Sequence, residues 1–338
     1  MYTIILLLCC AIFTNVQRTE QADFLEDNYI QRLNKVAVTW KAGVNFHPKT
    51  SVDDIKRLLG SYALGSPKTE PVKVHDAVYL AETQIPKTFD ARNKWNYCTT
   101  IKTVRDQGNC GSCWAFSTSS ALSDRLCIAS EGTFDELLSA EQLTFCCRRC
   151  GYGCNGGYPI RAWGYFHRNG IVTGGNYNTT QGCQPYQVPP CVEDKTGHNT
   201  CENQPIEKNH KCQNICYGDT GIKFKKDHRY TRNTYYLSSP KSMQQDVLAY
   251  GPIETSFHVF DDFLSYKSGV YSKTAVATYL GDHSVKLIGW GEDNGVPYWL
   301  IMNSWNDSWG DKGLFKILRG SNECKIEENP TGGEPKIK

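Results

Sequence analysis

Apolar positions fall into three regimes along the chain. Residues 4–13 form an unbroken apolar run, IILLLCCAIF, too short to span a bilayer and of the length of a signal-peptide core. Further on, Phe24, Leu25, Tyr29, Ile30 and Leu33 recur at near-helical spacing, as do Ile55, Leu58 and Leu59, and predict helical pieces in an otherwise polar stretch. That stretch thins into SPKTEPVKVHD, a linker pattern. Over residues 113–128, Trp114, Thr118, Ala121, Leu122, Arg125 and Leu126 mark a partly apolar helix face, with Ser112 as its N-cap. Residues 146–216 are rich in Gly, Pro, Cys and Asn and read as loops pinned by disulfides. The last third changes period: HSVKLIGW, PYWLIMN and GLFKILR are short β-rich runs divided by Gly, Asn and Asp. A helix-rich half followed by a strand-rich half predicts an α+β fold with two lobes.

Composition adds constraints. At 338 residues, 40% hydrophobic and 21% charged, the chain is long enough for a sizeable core. A formal net charge of +2 gives no case for nucleic acid or an acidic surface as partner. No segment after the first is apolar and long enough to be transmembrane. The first is read as a signal peptide over residues 1–17, although its start lacks Lys or Arg. Export implies an oxidising compartment for the cysteines. Of 16 cysteines, Cys9 and Cys10 fall in the leader, and the other 14 begin at Cys98.

Cys110 and Cys113 in QGNCGSCWAF could be a redox pair, half a metal site, or a staple beside a nucleophile. A sulfur at the start of a helix meets free N–H groups and the positive end of the helix dipole, which favour the thiolate. A thiolate that attacks a carbonyl carbon needs a proton donor for the leaving amine, and that donor needs an orienting group. His283 opens the run HSVKLIGW, and Asn303 ends the next strand-like run, where its amide oxygen could hold the imidazole. Cys146, Cys147, Cys150 and Cys154 also have the spacing of zinc ligands.

CGSCW, GCNGG at residues 153–157 and NSW at residues 303–305 together resemble the papain and cathepsin peptidases, and among them the cathepsin B type. The resemblance extends to TWKAGVNF and IKRLLGSYALG upstream and to IPKTFDAR. It implies a papain-like fold with a helical lobe and a barrel-like β lobe. It also implies a pro-segment over residues 18–84 and a mature domain over 85–338. Cys113 would be the nucleophile, His283 its acid–base partner and Asn303 the orienting residue. The Gln107 amide and the Cys113 N–H would form the oxyanion hole. Trp305 would shield the His283–Asn303 bond, while Gly156, Gly157, Tyr158, Pro159, Ser284 and Asn329 would line the substrate cleft. The implied disulfides are Cys98–Cys127, Cys110–Cys154, Cys146–Cys212, Cys147–Cys150, Cys183–Cys216 and Cys191–Cys201, leaving Cys324 unpaired. The implied partners are protein and peptide substrates, the chain's own pro-segment as inhibitor, and cystatin-type inhibitors. No cofactor or metal is expected. A monomer in the secretory pathway, bound for a lysosome or the outside of the cell, a digestive lumen included, completes the expectation. Two other readings stand beside it: a catalytically silent binding or storage relative, and thiol–disulfide exchange at Cys110–Cys113.

His283 and Asn303 lie 170 and 190 residues after Cys113, against about 130–150 in the family's ordinary spacing. The excess implies an insertion over residues 183–216, like the occluding loop that makes cathepsin B a dipeptide-releasing carboxypeptidase. Where that loop carries two histidines for the substrate carboxylate, this chain has Glu193 and Asp194, with His198 nearby. Acidic residues would repel a carboxylate, so endopeptidase action is expected to dominate. Asn329 stands where the relative has a carboxylate that accepts Arg, which predicts weaker Arg selection and a shift towards apolar or aromatic side chains. Asp282 and Ser284 also replace small residues beside His283. Of two glycosylation sequons, Asn178 reads as an accessible loop site, whereas a glycan on Asn306 would crowd the cleft.

Overall fold

The computed structural model describes residues 23–65, 84–191, 201 and 204–337. The expected leader and the linker SPKTEPVKVHD lie outside them.

The N-terminal segment folds as its apolar spacing predicts. Phe24 and Leu25 lie in a short 3-10 turn, Asp23–Leu25. The helix Asp27–Val36 buries Tyr29 and Leu33, and Val52–Leu58 buries Ile55. Ser51 starts the second helix with a reciprocal capping box to Asp54, which satisfies two otherwise orphaned N–H groups. Between the helices, Trp40–Ala42 pairs antiparallel with Tyr266–Tyr271. The segment is thereby stitched onto the C-terminal lobe as an added strand. Phe46 follows and packs against Trp305 at 5.9 Å between ring centres.

The helix Cys113–Ala129 runs between the lobes. The sequence predicts one apolar face, but every residue from Cys113 to Cys127 is buried. Its polar residues are therefore satisfied inside the protein. The Lys286 Nζ donates to Asp124 Oδ2 at 2.7 Å, and the Arg125 guanidinium meets Asp246. Burying such charges singly would be costly, so each is paired.

Residues 146–216 are not all loop. Pro159–Arg168 is an amphipathic helix with Pro at its first turn, burying Ile160, Trp163 and Phe166. The proline that reads as a breaker sits where its missing N–H costs nothing. Six disulfides pin the region and its surroundings: Cys98–Cys127, Cys110–Cys154, Cys146–Cys212, Cys147–Cys150, Cys183–Cys216 and Cys191–Cys201. The four cysteines with zinc-like spacing are all engaged in them. Cys113 and Cys324 keep free thiols.

The C-terminal lobe is a sheet. Its path runs from Trp40–Ala42 through Tyr266–Tyr271, Leu314–Leu318, Val296–Met302 and Tyr279–Asp293 to Ile253–Phe260. Thr331–Gly332 and Tyr235–Tyr236 continue it. The pairs Ile253–Phe260 with Tyr279–Asp293, and Tyr279–Asp293 with Val296–Met302, are antiparallel. His283 pairs with Phe257 in this register, and Asn303 follows directly after Met302. No helix among the described residues is long and apolar enough to cross a membrane.

Candidate active site

Cys113 is the first residue of its helix and is fully buried. Ser112 stands at the N-cap position, but its hydroxyl makes no capping bond. With φ −96° and ψ 15° its backbone is not extended, and the side chain turns instead to the Tyr186 hydroxyl at 2.9 Å. Tyr186 in turn donates to the Gln107 carbonyl at 2.8 Å, tying the helix start to the loop that carries Gln107.

Both ends of the Gln107 amide are committed, which fixes its orientation. Oε1 accepts from Ser304 Oγ at 2.7 Å. Nε2 donates to the Cys110 carbonyl at 2.7 Å and to the Leu58 carbonyl at 2.9 Å. Leu58 belongs to the N-terminal segment, so the expected oxyanion donor already holds a carbonyl oxygen.

His283 Nε2 lies 2.7 Å from Asn303 Oδ1. The Trp305 ring covers the imidazole at 4.6 Å between centres, tilted by 32°. His283 Nδ1 is buried with no hydrogen-bond partner among the described residues. Asn303 Oδ1 also accepts from the Ser304 N–H at 2.8 Å, so the oxygen faces the imidazole by construction. The sequence predicts a thiolate at Cys113, favoured by the helix terminus. In this state burial outweighs that effect and pushes the thiol up to about 11, despite hydrogen bonds from backbone N–H groups. Burial likewise pushes His283 down to about 4, with Asn303 opposing.

The N-terminal segment contributes to this burial. The Gly60 N–H donates to Cys113 Sγ at 3.3 Å and the Ser284 N–H at 3.5 Å. Gly60 and Tyr62 bracket Gly157: Gly157 N–H donates to the Gly60 carbonyl, and Tyr62 N–H to the Gly157 carbonyl, both at 2.9 Å. Ser61 and Gly157 thus form a parallel bridge. A Cβ on Gly157 would lie 2.6 Å from Trp114 ring atoms, which explains the glycine. Gly156, at φ +99°, lies under Tyr62. Tyr158 packs on Tyr62 at 5.4 Å, whereas Pro159 opens its helix and is buried. Asn329 Nδ2 donates to the Ala63 carbonyl at 2.9 Å.

Several expected site residues stand apart. Glu193, Asp194 and His198 lie outside the described residues. Asp282 directs its carboxylate to the His258 Nδ1 at 2.6 Å and the Tyr279 hydroxyl at 2.8 Å. Asn178 is exposed, while Asn306 Nδ2 is 3.2 Å from Asp106 Oδ2. Sequence reasoning missed Glu254 and Ser256, which reach the cleft from the strand beside that of His283. Their signal was the alternation in IETSFHVF, which places Glu254, Ser256 and His258 on one face.

Known proteins resemble this chain over most of its length. A family model described as papain family cysteine protease matches residues 85–333, and one described as peptidase family C1 propeptide matches residues 25–63. Cathepsin B-like cysteine proteinase 4 of Caenorhabditis elegans is 43% identical over 312 residues, covering 90% of this chain and 91% of its own. Cathepsin B-like cysteine proteinase 5 of the same organism is 42% identical over 319 residues, covering 91% and 90%. The solved structure of procathepsin B S9 from Trypanosoma congolense superposes with TM-score 0.78 at 34% identity, covering 94% of this chain and all of that one.

Proposed function

The chain belongs to the papain family of cysteine proteases, and from that premise we propose that Cys113, His283, Asn303 and Gln107 are its catalytic machinery. It is a cathepsin B-like zymogen with its propeptide attached. Once the pro-segment leaves, the Cys113 thiolate attacks the scissile carbonyl carbon, with Gln107 Nε2 and the Cys113 N–H stabilising the oxyanion. His283 gives a proton to the leaving amine through Nδ1, the nitrogen that Asn303 does not hold. Water, deprotonated by His283, then cleaves the thioester and regenerates the thiol. One observation carries the reading: Gln107 Nε2 already holds the Leu58 carbonyl oxygen at 2.9 Å, where a substrate oxyanion would sit.

The same contacts account for latency. The group of the pro-segment held on the sulfur is the Gly60 N–H, not a carbonyl carbon, so no bond is poised for attack. The pro-segment runs parallel to Gly157; a substrate strand is proposed to run the other way, bringing a carbonyl carbon to the thiolate.

Endopeptidase action is proposed to dominate, with weak dipeptide release, because Glu193 and Asp194 would repel a terminal carboxylate. The pro-segment is proposed to end near residue 84, the leader near residue 17, and the enzyme to work in a lysosome or outside the cell. Matched peptides with free and amidated C-termini test the reading after activation. Comparable cleavage of both supports it, and a marked preference for the free acid would contradict it. Labelling of Cys113 by an epoxide thiol inhibitor reports the nucleophile directly.

A further inference from the structure

The side chain of Ser61, the residue bridged to Gly157, enters a pocket that is polar rather than apolar. Its hydroxyl lies 2.8 Å from Ser256 Oγ. Ser256 Oγ is also 2.8 Å from Ser284 Oγ and donates to Glu254 Oε1 at 2.8 Å. The second oxygen of Glu254 accepts from the Thr331 hydroxyl. Asn329 Oδ1 is buried without a partner among the described residues. The expected shift towards apolar or aromatic side chains rests on Asn329 alone, and these hydroxyls argue for a different preference.

Proton counting gives the pocket a direction. A hydroxyl has one proton and two lone pairs. With Glu254 ionised, the proton of Ser256 is committed to that carboxylate, so its lone pairs are left to accept from a neighbouring hydroxyl or from whatever enters. Asn329 Oδ1 can only accept. An extended chain laid along Gly157 in either direction, with a side chain where that of Ser61 now sits, sends it to this acceptor surface. An apolar side chain there would bury the acceptors unpaired, which a hydrogen-bonding pocket rejects.

We propose that Ser256, with Ser284 and Asn329, makes this pocket selective for substrates carrying a hydrogen-bond donor, a hydroxyl or a carboxamide, at the residue paired with Gly157. This is the second residue before the scissile bond. Ser61 occupies the pocket as an internal stand-in for such a side chain. The proposal rests on the protease reading above, and it names a specificity-determining residue, not a catalytic one.

The test uses activated enzyme at pH 7.5 and two peptides that differ only by Thr or Val at that position, a pair of equal shape. Wild type is expected to favour Thr by about tenfold in kcat/KM, the worth of one hydrogen bond. Ser256→Ala is expected to bring the ratio to about one or invert it, and its continued cleavage of the Val peptide shows that it is folded. Equal or faster cleavage of the Val peptide by wild type would overturn the proposal. So would an unchanged ratio in Ser256→Ala. If neither peptide is cleaved, the protease reading falls instead. The Thr to Val ratio is then read as binding by calorimetry, and equal binding overturns the pocket as well.

Discussion

A Cβ on Gly60 would lie 1.9 Å from the carbonyl oxygen of Gly111. Gly60 has no special backbone angle to maintain; the requirement is space, because the pro-segment must come close enough for its N–H to reach Cys113 Sγ. Backbone cannot yield as a flexible side chain does, so the added methyl must push the segment away. Gly60→Ala is therefore expected to weaken the hold of the pro-segment at least tenfold and to speed alkylation of Cys113 in the unprocessed protein. Mass spectrometry separates that label from Cys324. Unchanged alkylation would show that the close approach does not enforce latency.

Acid should release the pro-segment through His283. Its imidazole is held neutral, near 4 against an ordinary 6.5, by burial. A group lowered in this way contributes stability that is fully present above pH 6.5 and is lost as pH falls towards 4. At about 1.4 kcal/mol per unit, the window is worth at most about 3 kcal/mol, of which the pro-segment holds the share of the burial that it supplies. Glu254, raised by burial to about 7, works in the opposite sense: its contribution is full below about pH 4.5 and is lost as pH rises through 7. Among the described residues the pro-segment reaches Glu254 through Ser256, whereas Gly60 lies on Cys113 and Phe46 packs on Trp305 over the imidazole. His283 should thus govern release. In a Cys113→Ser protein, which cannot process itself, hydrogen exchange over residues 40–62, corrected for intrinsic rate, should lose protection between pH 6.5 and 4. Equal protection at both ends would rule this out.

Much of the architecture was legible because local chemistry and tertiary packing agree. Tyr29, Leu33 and Ile55 lie on the buried faces that their spacing predicts. The three β-rich runs lie in Tyr279–Asp293, Val296–Met302 and Leu314–Leu318. The illegible part lies where distant segments meet. Nothing near Cys113 announces that residue 60 will be pressed against it, and with that contact the expected thiolate becomes a buried thiol. Ser112 looks like a cap because serine usually is one, but Tyr186, 74 residues away, claims its hydroxyl. Residues 159–168 read as loop because glycine and cysteine dominate their surroundings, although IRAWGYF is itself amphipathic. Ser256 was invisible for a related reason: its meaning depends on Ser284 and Ser61 arriving from other strands.

Gln107 serves both states of the enzyme, and one substitution should expose both roles. Gln107→Ala removes the donor to the Leu58 carbonyl and the acceptor of the Ser304 hydroxyl. In the activated enzyme kcat is expected to fall about a hundredfold or more with little change in KM, as for loss of an oxyanion donor. In the zymogen the same change should loosen the pro-segment, read again as faster alkylation of Cys113. A fall in kcat without loosening would mean that the Leu58 contact is incidental to latency.

Selection of Arg should be recoverable at Asn329. In the zymogen the amide gives an N–H to the Ala63 carbonyl, a partner that leaves with the pro-segment, and the neutral amide offers an Arg side chain no charge. Asn329→Glu places a carboxylate there, which an Arg side chain could meet with two hydrogen bonds. Cleavage of peptides with Arg two residues before the scissile bond is expected to rise about tenfold relative to Thr, and a peptide-library profile reads the change. A profile that ignored the substitution would remove Asn329 from the pocket.

The insertion over residues 183–216 is anchored by a titratable pair, and its hold should depend on pH in a definite direction. His210 Nδ1 lies 2.6 Å from Glu141 Oε1, with the Phe145 ring 4.2 Å away between centres. Glu207 is 3.8 Å from the other ring nitrogen. The hydrogen bond to Glu141 raises the imidazole above its ordinary 6.5, with further support from Glu207 and some opposition from burial. A raised base contributes stability that is fully present below pH 6.5 and is lost as pH rises through the elevated value. The neighbouring anchors do not titrate: Asn209 Oδ1 accepts from the Cys154 N–H at 3.0 Å, and the Glu207 N–H donates to the Asn109 carbonyl. Alkali should therefore loosen the insertion around His210 without freeing it, because Cys146–Cys212 and Cys183–Cys216 hold its ends. Limited proteolysis between residues 202 and 211 should be slow at pH 6 and faster above neutrality, whereas His210→Ala should be cut quickly at both. If His210→Ala resists cleavage at pH 6 as wild type does, the disulfides and Asn209 suffice, and the ion pair has no part in holding the insertion.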